Sequence, residues 1–319
     1  MKPTILLTGK TGQVGSELHR LLPQLGRVVA PDRKELDLLD LDTIRRTVRD
    51  IRPQLLVNAA AYTAVDAAEK DQASAYTINA EAVRVLAEEA KSLNAALVHY
   101  STDYVFDGSK RTPYDERDPV NPLNVYGKTK FAGEQAIRNS GVPHLIFRTA
   151  WVYATRGRNF VLTILRIATE REELKVVSDQ IGAPTCASDI ATATTKILAG
   201  ICERNNGAVV FSKVGGTYHM TALGQTTWYD FAKAILEKAS GASHDLPWLA
   251  AATHGRPLIA RQVIPISTEE FRSPTQRPAY SVLSNSRLID TFEIALPDWH
   301  IQVLRCFAPE NAAASLVTR

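Results

Sequence analysis

The sequence predicts an α/β protein in which a doubly wound parallel sheet carries a smaller α+β lobe. Two observations point there: short apolar runs alternate with helix-periodic segments through the first 150 residues, and the alternation loosens beyond them. Residues 4–8 form a short buried strand, and the glycine-rich stretch after it opens a helix through Leu18, Leu21 and Leu22. Residues 27–30 read as a second strand and 43–51 as a helix that Pro53 closes off. A third strand at 55–58 is followed by a long alanine-rich helix over 73–93. A strand at 96–101, a helix at 126–138 and a strand at 144–148 complete the alternation. After residue 150, segments 159–170 and 227–239 read as helices, and 240–285, rich in Pro and Ser, as loops and small strands. The predicted organisation is a core over 1–150, with roughly 184–226 returning to it, and a lobe formed by 151–183 and 227–319.

The chain has 319 residues, 45% of them hydrophobic and 22% charged, which suits a large globular core and argues against disorder. Its net charge of +3 is the difference between 37 basic and 34 acidic residues, too even to imply a nucleic-acid or membrane partner. The densest basic stretch, Arg45, Arg46, Arg49 and Arg52, falls in a predicted helix and reads as a solvated face. No apolar run approaches the roughly 20 residues of a membrane span, and the run at 5–7 is too short for a secretory core. Cys186, Cys202 and Cys306 are odd in number and widely separated, with no zinc pair and no CxxC, as expected of reduced thiols in a cytoplasmic protein. The seven histidines include no HExxH, so no metal site is expected.

Thr8-Gly9-Lys10-Thr11-Gly12-Gln13-Val14-Gly15 follows the first strand and opens the first helix. Glycines there permit a tight turn, close approach to a pyrophosphate and close helix-strand packing, while the helix-start amides favour phosphate. The spacing is GxxGxxG. A P-loop needs a glycine five residues before Gly9, and position 4 is Thr. The expectation is a dinucleotide site in a Rossmann-type sheet. Asp32, just past the second strand, is placed to bind an adenosine ribose, whereas Arg33 and Lys34 suit a 2′-phosphate, so NADH and NADPH both stay open. Asp37 is a second candidate near the adenine.

Tyr126 and Lys130 stand four apart at the start of a predicted helix and so share a face. A phenol with a pKa near ~10 is a sluggish acid at neutral pH, and a nearby ammonium favours the phenolate. Two unit charges ~4 Å apart interact by up to ~4 kcal/mol at an effective dielectric of ~20, enough to move that value by about three units. The spacing recurs at Tyr229 and Lys233, so context has to choose between the pairs. Tyr126 follows the strand ending Tyr100-Ser101-Thr102-Asp103 in the half that holds the glycine loop, and Thr102 at the strand end can hydrogen-bond a substrate carbonyl. Tyr229-Lys233 lacks that setting and reads as packing with a solvated lysine. Trp151 is a candidate wall of a sugar pocket or ordinary core; Asn79 either anchors a relay water or sits on a polar helix face. Asp66 and Glu69 read as helix-start residues.

With these residues assembled, the chain resembles the extended short-chain dehydrogenase/reductases and, within them, the dTDP-4-dehydrorhamnose reductase family. The likeness spans nearly the whole chain: TGKTGQVG at 8–15, VNAAAYTAVDAAE at 57–69, STDYVFDG at 101–108, PLNVYGKTK at 122–130, FRTAWVY at 147–153, DQIGAPT at 179–185, TTWYDFA at 226–232 and RPAYSVLSNSRL at 277–288. The resemblance implies Thr102, Tyr126 and Lys130 as the catalytic set, with Asp103 and Trp151 against the sugar. It implies a cofactor site at Gly12, Gln13, Val14, Asp32, Asp37, Leu38, Ala61, Tyr62 and Thr63, to which the reading of the glycine loop and the charged turn adds Gly9, Gly15 and Arg33, with Tyr126 and Lys130 reaching into it. The implied reaction is reduction of the C4 ketone of dTDP-4-dehydro-L-rhamnose with NADPH or NADH. Some relatives bridge a homodimer through magnesium. Glu17 matches one ligand position, but Ser188 stands where another carboxylate is expected, which argues against a magnesium-bridged dimer and leaves a homodimer of another kind open. Relatives often carry histidine at the position of Tyr62. A 4,6-dehydratase would need Asp-Glu after the threonine, and Asp103 is followed by Tyr104. Reduction of another dTDP-4-keto-sugar, or a non-catalytic regulatory subunit like that of methionine adenosyltransferase, are the alternatives; retention of Thr102, Tyr126 and Lys130 favours the enzyme.

Overall fold

The computed structural model describes residues 2–242 and 246–308, so residues 243–245 and 309–319 of the expected lobe lie outside the described residues. Among the described residues, six strands form one parallel sheet: β1 (Thr4–Thr8), β2 (Arg27–Val29), β3 (Leu55–Asn58), β4 (Ala96–Thr102), β5 (His144–Thr149) and β6 (Gly216–His219). Their order is β2-β1-β3-β4-β5-β6. Helices α1 (Gln13–Leu21), α2 (Leu41–Ile51), α3 (Ala82–Ser92), α4 (Val125–Ser140) and α5 (Ala187–Arg204) cover it. α1 packs on α5, while α3 packs on both α2 and α4.

The strand residues explain why both faces are covered. Ile5 and Leu7 join Leu18, Val57, Phe147, Ile190 and Leu198 in one buried cluster, and Leu6 joins Ile44, Val48, Leu56, Leu86 and Ile146 in the other. Period-two alternation with apolar residues on both sides leaves no polar face to expose. Asp40 starts α2 by accepting from the amides of Asp42 and Thr43, and Arg52 ends it in the left-handed region (φ 49°) before Pro53. Asn124 starts α4 by accepting from the Gly127 amide, and Gly141 ends it at φ 68°.

The second half differs in places from the sequence expectation. α5 is an 18-residue helix carrying a buried row, Ile190, Thr194, Ile197 and Ile201, at helical spacing. Its β-branched threonines lower local helix preference, and contact with α1 outweighs that. β6, the four residues GTYH, has no apolar run to mark it and exists through its ladder to β5. In the stretch expected as loops and small strands, Pro247–Thr253 is helical and Gln262–Ile266 pairs in parallel with Glu173–Val177. That strand pair and the helices Phe160–Ala168, α6 (Trp228–Ser240) and Trp299–Phe307 enclose a separate cluster of Tyr153, Leu165, Phe231, Ile235 and Trp299.

The helix predicted over 73–93 is interrupted. Gln72–Tyr76 is followed by a π-helical stretch, Thr77–Glu81, before α3 begins. The extra residue per turn brings Asn79 fully inside, where its amide clamps the Tyr62 backbone through both N and O and also donates to Thr129 Oγ1. A Cβ on Gly133 would lie 2.2 Å from Asn79 O, so α4 rests directly on this stretch.

After β1 the chain moves to one side of the sheet for β2 and to the other for β3, so a crevice opens at the carboxyl ends of β1 and β3. Among the described residues no helix is long and apolar enough to cross a membrane.

Candidate functional site

A cleft of about 800 Å³ runs along these carboxyl ends, from the glycine loop to Trp151 and Trp228. Gly9 turns the chain at φ +76°, and a Cβ there would lie 2.7 Å from Ala60 N. A Cβ on Gly15 would lie 2.0 Å from Gly9 O, so this glycine packs α1 onto the loop and does not itself line the cleft. Gly12 is the N-cap of α1, with no side chain capping the first-turn amides and no acidic residue among them. That bare helix start in the cleft wall suits an anionic pyrophosphate, and the residues present therefore fit a dinucleotide.

The adenosine end is less specialised. The Asp32 carboxylate accepts from the amides of Lys34 and Glu35, which lower its pKa. Arg33, 77% exposed, lies 4.0 Å from Asp37. Asp32, Arg33, Asp37, Leu38, Ala61 and Thr63 all reach the cleft wall. Tyr62 does not: Asn79 holds its backbone, and its hydroxyl is 3.5 Å from Asp71.

Thr102, Asp103, Tyr126, Lys130 and Trp151 converge at the other end. Thr102 ends β4, donates to Asp103 Oδ1 (2.9 Å) and accepts from Tyr104 N (3.1 Å), and its hydroxyl stands close enough to the Tyr126 phenol to lower that group's pKa. The ring of Tyr104 meets that of Tyr126 edge-on at 5.8 Å. Burial pushes the Asp103 carboxyl up to about 6, eased by the Ser281 and Thr102 hydroxyls. Trp151, at φ 46°, stacks on Trp228 with centroids 3.5 Å apart.

One electrostatic expectation is corrected. Lys130 was expected to draw the Tyr126 phenol toward ionisation, yet burial pushes that phenol up to about 12, only partly offset by the Thr102 hydroxyl. Lys130 Nζ instead donates to Tyr100 O (2.7 Å) and lies 3.2 Å from His99 Nε2. Burial pulls Lys130 itself down to about 8, against the pull of the Glu134 carboxylate. Desolvation dominates at both groups, and the Tyr126 phenol stays protonated at neutral pH.

Asp66 and Glu69 do not share a helix start. Asp66 lies in the first turn of Val65–Ala68 and pairs with Arg277 (2.9 Å), whereas Glu69 stands past the end of that turn and accepts from Val125 N. Glu17 pairs with Arg20 (3.1 Å), and Ser188 Oγ lies 3.2 Å from Cys186 Sγ. Among the described residues no group of three or more His, Cys, Asp or Glu is arranged to hold a metal ion.

Residues 1–311 match the family model described as the RmlD substrate binding domain. A dTDP-4-dehydrorhamnose reductase of Burkholderia thailandensis is 50% identical over 303 residues, covering 95% of this chain and 97% of the relative. The chain belongs to the dTDP-4-dehydrorhamnose reductase family. The Escherichia coli K12 reductase is 43% identical, with 94% of this chain and 96% of the relative covered. A Bacillus anthracis reductase solved in complex with NADP is similar in structure at a TM-score of 0.82 and 35% identity, over 96% of this chain and 99% of that one. In this member of the reductase family the sequence reading missed cleft-lining residues such as Trp228 and Arg277, and His99, which lies against Lys130. Trp228 sits beside the decoy tyrosine, Arg277 is far along the chain, and His99 is hidden within an apolar strand.

Proposed function

We propose that this chain reduces the C4 ketone of dTDP-4-dehydro-β-L-rhamnose to dTDP-β-L-rhamnose with NADPH or NADH, the last step of dTDP-L-rhamnose biosynthesis. The observation that carries the reading is one continuous cleft with a bare helix start at one end and a neutral Tyr126 phenol on Thr102 at the other. The NADP bound to the Bacillus anthracis relative supports a nicotinamide cofactor here.

The nicotinamide supplies the hydride. As a C–H bond forms at C4, the carbonyl π pair moves to oxygen, which takes the Tyr126 proton; the phenolate is then reprotonated from solvent. Thr102, at the end of β4 and held by Asp103, lies beside the phenol and is assigned to the carbonyl oxygen, and the Asp103 carboxylate and Trp151 wall are assigned to the sugar. Arg33 projects freely enough to meet a 2′-phosphate, while Asp32 suits a ribose, in keeping with use of either cofactor. The reading includes a cytoplasmic enzyme acting on a nucleotide sugar, and a homodimer without a magnesium bridge. A regulatory subunit without activity is not favoured, since the relatives that span the chain are reductases.

A panel of dTDP-4-keto-sugars assayed with both cofactors tests this. Cofactor oxidation is expected to be fastest with dTDP-4-dehydro-L-rhamnose, and faster oxidation with another keto-sugar would reassign the substrate. Absence of oxidation with every sugar would favour the regulatory reading.

A further inference from the structure

Two thiols far apart in the chain meet where the helix Trp299–Phe307 rests against the start of α5. Cys186 Sγ and Cys306 Sγ lie 3.8 Å apart across 120 residues of sequence. Cys186 is the N-cap of α5, and Cys306 stands on Trp299–Phe307. Two side-chain bonds flank the thiols and hold these elements together. Gln302 Oε1 accepts from the Cys186 amide at 2.7 Å, and Arg305 Nη1 donates to Asp189 Oδ1 at 3.2 Å. Gln302 lies one helical turn before Cys306, and Asp189 is in the first turn of α5, so the sulfurs sit between the two clamps. An S–S bond is ~2.05 Å long. The gap to close is therefore under about 2 Å, within the reach of side-chain rotation at two cysteines.

The two thiols are not equivalent. The Cys306 thiol donates to Cys186 and favours its thiolate, against the burial and the Asp189 charge that oppose it. Ser188 helps through its hydroxyl, 3.2 Å away, and through its amide. The start of an 18-residue helix adds to the same preference. That contact and burial together push Cys306 well above the usual thiol range. Cys186 is thus the nucleophile of the pair, and Cys306, which is partly exposed, keeps its proton. Cys202 also lies on α5, but burial and the Glu203 charge raise its pKa, and among the described residues it touches no other sulfur.

We propose that Cys186 and Cys306 form a peroxide-reactive pair that closes to a reversible disulfide. The Cys186 sulfur attacks one oxygen of hydrogen peroxide and the O–O bond breaks. The other oxygen leaves as hydroxide, takes up the proton that Cys186 gave, and becomes water; Cys186 is left as a sulfenic acid. The Cys306 sulfur then attacks the Cys186 sulfur, the S–O bond breaks, and the second hydroxide leaves as water with the Cys306 proton. Two electrons pass from the two sulfurs to the peroxide, and a dithiol reductant returns them while becoming a disulfide itself. Neither cysteine lines the cleft, so the chemistry of the pair is independent of the sugar bound there. The bond would tie Trp299–Phe307 to Thr185–Cys186, which pairs in parallel with Val152–Tyr153, directly after Trp151.

The experiment exposes the reduced full chain to hydrogen peroxide at pH 7, followed by a thiol count and peptide mapping without reductant. Two of the three thiols are expected to be lost together, with Cys186 and Cys306 recovered in one linked pair of peptides and Cys202 still free. Dithiothreitol should restore all three, and the oxidised chain should run at single-chain mass on a denaturing gel. In Cys306→Ser the sulfenic acid has no partner, and dimedone should label Cys186. In Cys186→Ser, Cys306 should react at least about tenfold more slowly than the pair, the factor that one pKa unit of thiolate content makes. A linked peptide containing Cys202, a link between two chains, or no linked peptide under conditions that oxidise free glutathione in a parallel sample overturns the proposal. The mapping is made on the unaltered chain, so it decides the matter even if a variant does not fold.

Discussion

Tyr126–Lys130 and Tyr229–Lys233 share more than a spacing. Each tyrosine is the second residue of its helix, and each helix is started by a polar cap, Asn124 for α4 and Thr227 for α6. The local code is the same and the chemistry is not. Lys130 is 2% exposed and its ammonium nitrogen lies against Tyr100 O and His99, at the end of β4. The Lys233 side chain is 55% exposed, lies 5.1 Å over the ring of Tyr229 and is 3.9 Å from Asp230. α6 packs on Phe160–Ala168 and the 173–177/262–266 strand pair, away from the cleft end of β4. The two pairs differ in what lies beneath them, a buried sheet end under Tyr126–Lys130 and an exposed helix surface under Tyr229–Lys233.

Variants can break or sharpen that contrast. The largest stability effect is expected from the carboxylate beside each lysine. Glu134, wholly buried, holds Arg148 at 2.7 Å, and Glu134→Ala leaves a buried guanidinium uncompensated, at a cost of about 3–5 kcal/mol in urea unfolding. Asp230→Ala, beside the exposed Lys233, should change stability by under about 0.5 kcal/mol. Equal losses would mean that the two settings are not different.

Asp103 comes next. Its folded pKa of about 6 exceeds the unfolded 3.8, so the folded state binds the extra proton between those values and ionisation above them is destabilising. Asp103→Asn is therefore expected to gain about 2–3 kcal/mol of stability at pH 7. The gain should vanish below about pH 4, where the carboxyl is protonated in both states, and turnover should fall. A destabilised Asp103→Asn would contradict the burial account.

Two smaller effects follow. Arg33→Ala should weaken NADPH by about tenfold and leave NADH nearly unchanged, the difference a charged phosphate contact makes; equal weakening would remove Arg33 from the 2′-phosphate site. Lys233→Ala should leave turnover within about twofold and stability within about 0.5 kcal/mol, as for other exposed sites.

The sheet of the first half was legible because its strands are buried on both faces and its helices carry caps and periodic apolar stripes, as in Leu6 against Ile44 and Val48. α5 and β6 were not, since Thr-rich helix sequence and a four-residue edge strand gain their order from α1 and β5, far away in the chain. Thr102, Asp103 and Trp151 could be placed on the cleft from the sequence because they stand at the ends of β4 and β5. Asn79 was not: an ordinary helix would have turned it outward, and the π-helical stretch turns it in. The direction of the pKa shifts was also hidden, because spacing shows which charges are neighbours and says nothing of the water taken from them.

The most direct measurement is stopped-flow single-turnover cofactor oxidation, with saturating NADPH and dTDP-4-dehydro-L-rhamnose, for Tyr126→Phe and Tyr229→Phe. Tyr126→Phe should bind NADPH normally and oxidise it about 10²–10⁴-fold more slowly, the usual worth of a positioned acid, while Tyr229→Phe stays within about twofold. Near-normal oxidation by Tyr126→Phe, or an equal loss in both variants, would contradict the assignment of the acid to Tyr126.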